Sequence, residues 1–187
     1  MCYPMTISRL ALCALIISAC FTAAVTAQPI PEDGFVKLRV MTEENKCLEG
    51  NRLSSESVLK GAAFMNDCDR QTGQYWKAKP VPGHDGYYWL QTAFLESKNK
   101  CLEGNRLSSN SVLKGGAFMN DCGRQTGQFW KMVPDRDGYF RLKTLFQGEN
   151  KCLEGNRLSS SSMLGGAAFM DDCQNVTGQL WKVEKVN

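Results

Sequence analysis

Three carboxylates recur in one setting. Glu49, Glu103 and Glu154 each stand two residues beyond a cysteine, in Cys47-Leu48-Glu49, Cys101-Leu102-Glu103 and Cys152-Leu153-Glu154. A phenylalanine and a polar residue follow at a fixed distance each time: Phe64 with Asn66, Phe118 with Asn120, and Phe169 with Asp171. A carboxylate accepts hydrogen bonds from two neighbouring hydroxyls, and an aromatic face covers the C–H side of a ring. Each triple therefore sets a hydrogen-bond acceptor beside an apolar face. The plainer alternative is that Phe64 packs in a core, as single apolar residues usually do, while Glu49 caps a turn beside Gly50-Asn51.

Strand alternation sets the geometry that such a site needs. Side chains two apart share a face, so Cys47 and Glu49 point one way and Leu48 the other. On the partner segment Phe64, Asn66 and Cys68 share a face, and Met65 opposes them. A Cys47–Cys68 bridge then gathers Glu49, Phe64 and Asn66 on one side and leaves Leu48 and Met65 for the core.

Catalytic chemistry finds little to work with. His84 is the single histidine, lies in one linker and has no counterpart elsewhere, which fits a surface loop. No Ser, Cys or Lys stands in a nucleophile arrangement, and no cofactor or metal motif is present. The expectation is a non-enzyme.

The triples belong to a larger repeat. The ten residues KCLEGNRLSS occur at 46–55, 100–109 and 151–160. Cys47–Lys77 and Cys101–Lys131 agree at 27 of 31 positions, and Cys152–Lys182 matches the first copy at 23 of 31. Aromatic-rich lead-ins precede the copies, beginning at Gly34-Phe35, Gly86-Tyr87 and Gly138-Tyr139. The units run about 35–85, 86–137 and 138–187, after a tail over 28–34. Three equal units suit multivalent binding better than catalysis.

Residues 1–27 read as a secretory signal: Arg9, an apolar run from Leu10 to Val25, then Val25-Thr26-Ala27 as the cleavage site. The run is too short and Ala-rich for the ~20 apolar residues of a membrane span, so stable membrane insertion is not expected. The leader takes three of the nine cysteines and one of the 22 basic residues, which leaves six cysteines and a charge of +2 against 19 acids. Six cysteines allow about 15 pairings, but each copy holds its own pair 21 residues apart. Bridges Cys47–Cys68, Cys101–Cys122 and Cys152–Cys173 are the economical choice. Zinc, the rival use, lacks its Cys-x-x-Cys knuckle, and secretion favours disulfides. The near-neutral charge has no basic stripe for nucleic acid. Asn175-Val176-Thr177 is a glycosylation sequon, found in the third unit alone.

Short apolar bursts broken by Gly, Asn, Asp and Ser predict short strands in an all-β domain. About four strands in each of three units predict a β-trefoil with pseudo-three-fold symmetry and almost no helix.

The unit ends add a signature. Gln74-Tyr75-Trp76, Gln128-Phe129-Trp130 and Gln179-Leu180-Trp181 each follow Thr-Gly, and each Trp lies eight residues beyond the second cysteine. Over 35–187 the chain resembles the ricin B-type lectin family, β-trefoils with a Cys-φ-Asp, Cys and Gln-x-Trp pattern in each lobe. The resemblance implies structural roles for Gln74, Trp76, Gln128, Trp130, Gln179 and Trp181, with Trp anchoring the core and Gln bracing a turn. It also implies a sugar site with an acid after the first cysteine, an aromatic platform two residues before the second, and amides nearby. Here the acid is Glu, the platform position holds Asn66, Asn120 or Asp171, and Gly73, Gly127 and Gly178 stand where sugar-binding lobes often carry Asn. These departures argue against the usual galactose site and for a modified one, with the aromatic preceding the polar residue. Two readings follow. One is a secreted lectin-like module that binds glycans or glycoproteins through up to three weak sites. The other is a structural or protein-binding extracellular trefoil of a matrix, mucus or egg coat.

Overall fold

A computed structural model describes residues 30–31, 33–42, 45–50, 60–104, 114–155 and 165–186. The expected leader over 1–27 lies outside the described residues. The described residues form twelve short strands, four in each repeat unit. The first unit holds β1 (Val36–Val40), β2 (Lys46–Glu49), β3 (Phe64–Asp67) and β4 (Trp76–Pro80). The second holds β5 (Tyr88–Thr92), β6 (Lys100–Glu103), β7 (Phe118–Asp121) and β8 (Trp130–Pro134). The third holds β9 (Phe140–Thr144), β10 (Lys151–Glu154), β11 (Phe169–Asp172) and β12 (Trp181–Lys185). Among the described residues, helix is confined to five 3₁₀ turns of three to six residues.

Strands β1, β4, β5, β8, β9 and β12 close into a six-stranded antiparallel barrel. Three of its seams are long: β4–β5, β8–β9 and β12–β1 each run for five residue pairs. The other three rest on one pair each, Val36↔Trp76, Tyr88↔Trp130 and Phe140↔Trp181. The β12–β1 seam joins the two ends of the chain, and full closure leaves the barrel no open edge. Period-two patterning explains the wall. In β1, Val36, Leu38 and Val40 are buried while Lys37 and Arg39 are not, as a one-face-buried strand requires.

Hairpins β2–β3, β6–β7 and β10–β11 cap one end of the barrel. A cyclic set of backbone hydrogen bonds joins them. Ala63 N–H donates to Ala117 O (2.9 Å), Ala117 N–H to Ala168 O (2.9 Å) and Ala168 N–H to Ala63 O (3.0 Å). The three alanines are buried, so the repeated Ala-Phe-Met sequence closes a three-fold junction with small side chains. A second ring binds Met65, Met119 and Met170 N–H to Gly166, Gly61 and Gly115 O at 2.7–2.8 Å. These glycines have φ of +79° to +83°, a left-handed conformation that side chains disfavour.

The core lies inside the barrel and beneath this cap. Leu48, Leu102 and Leu153 meet Trp76, Trp130 and Trp181, all almost fully buried. Each tryptophan also donates Nε1–H to the leucine carbonyl of its own unit, at 2.8, 2.7 and 2.9 Å. The disulfides are Cys47–Cys68, Cys101–Cys122 and Cys152–Cys173, one inside each unit as the spacing suggested. The all-β, three-lobed architecture is the β-trefoil that the repeat predicts.

Candidate functional site

Each cap hairpin pairs its strands in one register. Cys47 faces Asn66 and Glu49 faces Phe64, with Leu48 and Met65 turned to the core between them. The second and third hairpins repeat this with Glu103↔Phe118 and Glu154↔Phe169. The fold therefore brings each acid, phenylalanine and polar residue together on one face. Phe64, Phe118 and Phe169 are half-buried. Their backbones also bridge to neighbouring hairpins, through Phe64↔Ala167, Ala62↔Phe118 and Gly116↔Phe169.

The carboxylates are already engaged. Glu49 Oε2 accepts from Asn66 Nδ2 (3.1 Å) and Gln74 Nε2 (3.2 Å). Glu103 Oε2 accepts from Asn120 Nδ2 (3.0 Å) and Gln128 Nε2 (2.9 Å). Glu154 Oε2 accepts from Gln179 Nε2 at 2.9 Å. Asp171 has no amide hydrogen to offer, and its Oδ1 accepts the N–H of Asp172 (2.8 Å). Each glutamine uses its remaining capacity on the turn after the second cysteine. Gln74 Nε2 also donates to Asp67 O (2.8 Å), and its Oε1 accepts from Asp69 N–H (3.0 Å). Gln128 and Gln179 repeat both bonds. All three glutamines are fully buried, and satisfied buried amides of this kind fix a unique arrangement.

Glycine before the Gln-x-Trp segment complements the longer acid. A Cβ on Gly73 would sit 3.1 Å from Glu49 Cγ and 3.1 Å from Gly50 O, and Gly127 and Gly178 face the same neighbours in their units. The Gly50 N–H bonds Gly73 O at 3.0 Å, which requires this close approach. Glutamate and glycine thus form a packed pair in each unit.

An open cleft of ≈ 360 Å³ lies beside this brace in the first unit, lined by Glu49, Gly50, Arg70, Gln71, Thr72, Gly73 and Phe94. Phe94 is 46% exposed and belongs to the second unit's lead-in. Phe146, 54% exposed, is its equivalent in the third unit, and its N–H bonds Thr126 O beside the second unit's turn. At the third junction the position is Thr42, whose hydroxyl meets that of Thr177 at 3.0 Å. Sequence reasoning missed Phe94 and Phe146 because they lie outside the repeated motif. The available signal was an aromatic just past a strand end in two lead-ins of three.

Asn175 is exposed, and its Oδ1 accepts from Arg136 Nη1. His84 lies at the surface, with its ring 4.9 Å from that of Phe129. Among the described residues no cluster of His, Cys, Asp or Glu could hold a metal, and no helix is long and apolar enough to cross a membrane.

No protein-family model matches the chain, and no curated protein matches its sequence. Solved structures match its fold. A ricin B-like lectin from Macrolepiota procera, solved with lactose, superposes with a TM-score of 0.60 at 13% identity, over 84% of this chain and 99% of the lectin. ThreeFoil, a designed three-fold symmetric protein, gives 0.60 at 22% identity, over 82% of this chain and all of the design. A mosquitocidal holotoxin gives 0.67 at 14% identity over 84% of this chain, which spans only 18% of that toxin. At these identities the likeness speaks to fold, and the chain has the β-trefoil fold that a ricin B-like lectin also adopts.

Proposed function

We propose that this protein is a secreted, non-catalytic lectin-like module that binds glycans weakly at repeated junctions between its lobes. The observation that carries this reading is the open cleft lined both by Glu49, whose side chain is largely buried, and by Phe94, which is 46% exposed. Sugar recognition needs this combination of an oriented acceptor and an apolar face. The platform comes from the next lobe, so the second junction offers Phe146 and the third offers Thr42. Three disulfides fit an oxidising, extracellular setting. A lactose complex of a lectin with the same fold supports the ligand class. Glycosylation of exposed Asn175 is compatible with its bond to Arg136, which uses the amide oxygen and not the nitrogen that a glycan takes.

One junction binds at about millimolar strength, and a repetitive surface raises apparent affinity about 10²–10⁴-fold where geometry permits. The test is retention of the disulfide-intact chain on a glycan array, followed by Phe94→Ala and Phe146→Ala together. Loss of retention with the fold intact supports the reading, and unchanged retention refutes it. A second reading rests on the amide bonds already made to the three carboxylates: the acids brace the cap alone. It predicts that Glu49→Ala lowers stability without altering retention.

A further inference from the structure

The second lobe differs from the other two on the barrel wall. In β1, Arg39 pairs with Glu184 at 2.9 Å, and Lys37 lies 5.7 Å from the Tyr75 ring centre. In β9, Arg141 pairs with Asp135 (2.6 Å) and Lys143 with Glu149 (2.8 Å). The matching positions of β5 are Trp89 and Gln91. Lys79 stands directly across from Trp89, where Glu184 stands across from Lys37. Strand β5 thus has an aromatic and an amide in place of two cations, and faces Lys79 of β4 where β1 faces Glu184 and β9 faces Val133.

Two open clefts meet at Trp89 and Arg124. One, of ≈ 330 Å³, is also lined by Lys79, Gln91 and Asn99. The other, of ≈ 530 Å³, is also lined by His84 and Phe129. Trp89 is held in place: its Nε1 donates to Gly123 O (3.2 Å) and its ring meets Phe129 edge-on with centres 5.9 Å apart. Trp76, Trp130 and Trp181 are fully buried, so Trp89 is the tryptophan that a ligand can reach. Among the described residues neither Lys79 nor Arg124 makes an ion pair, and neither cleft is lined by an acid.

Gln91 supplies an independent sign of a ligand. It is 3% exposed, its Nε2 donates to Asn99 Oδ1 (3.5 Å) and lies 3.1 Å from Cys122 Sγ, and its buried Oε1 has no hydrogen-bond partner. Exchanging the two ends of the amide would leave an N–H unpaired instead. Buried amides are normally satisfied on both sides, and a ligand hydroxyl, which both donates and accepts, completes either arrangement.

We infer that this cleft binds an acidic sugar. The pyranose C–H face stacks on Trp89, a hydroxyl bonds the Gln91 amide, and the ligand carboxylate lies between Lys79 and Arg124. The site shares no residue with the Glu49–Phe94 cleft and, among the described residues, occurs once. Its ligand chemistry has two sources, a uronic acid or a sialic acid. The test titrates the disulfide-intact protein with an unsulfated uronate-containing tetrasaccharide, with sialyllactose and with lactose, reading tryptophan fluorescence and heat. At least one acidic sugar is expected to bind about tenfold or more tighter than lactose, with a change in Trp89 emission. Arg124→Gln, at an exposed position, is expected to weaken that binding by about tenfold or more, the loss of one charged hydrogen bond. Phe94→Ala should leave it unchanged, which separates this site from the lobe-junction reading. The acidic sugar that binds names the source. No binding of either acidic sugar, lactose binding as tightly, or Arg124→Gln binding within twofold of the parent overturns the inference.

Discussion

Gly50→Ala tests how the three lobes interlock. Gly50 ends the first unit's Cys-Leu-Glu-Gly motif, and its φ lies outside the left-handed region, so alanine costs nothing in backbone strain. The space is what forbids it. A Cβ there would come within 2.8 Å of Met119 Sδ, 2.9 Å of Thr92 Cγ2 and 2.9 Å of Trp76 Cη2. Met119 can swing aside, but the indole and the threonine methyl are fixed by the core, so the chain must shift. Overpacking of this kind costs about 1–3 kcal/mol. In a domain of this size that lowers Tm by about 2–12 °C. The symmetry makes the test stringent. Gly104 meets Met170 and Trp130, and Gly155 meets Met65 and Trp181, at 2.7–3.0 Å. Alanine at each should therefore cost a similar amount. The assay is urea unfolding of the disulfide-intact protein, with Gly83→Ala as a contrast. Gly83 has φ +77° and open space around it, so its cost of about 1 kcal/mol comes from the backbone alone. A double-mutant cycle of Gly50→Ala with Met119→Ala should show coupling of about 0.5 kcal/mol or more, because deleting the thioether removes one clash. Gly50→Ala within about 0.5 kcal/mol of the parent, or no coupling to Met119, would refute the packing argument.

Other consequences are open to the same measurements. Replacing Cys101 and Cys122 together by Ser should lower stability by about 3 kcal/mol, since that bridge closes a loop with a separation of 21 residues; equilibrium unfolding reads it. Trp130→Phe leaves the Leu102 carbonyl without its 2.7 Å bond, so unfolding should show a loss of about 1–3 kcal/mol before any cavity cost. A hydrogen bond from the Arg141 side chain holds the Asp135 carboxyl below its ordinary value, and one from Lys143 does the same for Glu149. A depressed carboxyl stabilises the fold above its unfolded pKa, and that contribution fades as pH falls through the lower folded one. Asp135→Asn with Glu149→Gln should therefore flatten the loss of stability below about pH 4.5, by no more than about 1 kcal/mol for each solvent-screened pair. An unchanged acid limb in stability–pH curves would count against both pairs.

Much of this architecture could be read from the chain because it is local to one copy. The cysteine spacing names the disulfides, and alternation in KCLE and FMND sets the hairpin register that places Leu48 and Met65 inward. Three such units of about four strands leave the β-trefoil as the natural closure. Contacts between copies are a different matter. Nothing in the ten-residue motif says that Gly50 must admit Met119 of the next lobe, or that Ala63, Ala117 and Ala168 close a ring of hydrogen bonds. The aromatic beside Glu49 also comes from another lobe: Phe94 reaches the first lobe's turn because β4 and β5 pair across the unit boundary. Trp89, Gln91 and Arg124 converge in the same way, from a lead-in and a turn more than 30 residues apart. Sequence periodicity fixes which face of a strand is buried, because side-chain direction follows from the backbone repeat. Which side chains from different lobes meet is decided only when the barrel closes and brings distant segments to one surface.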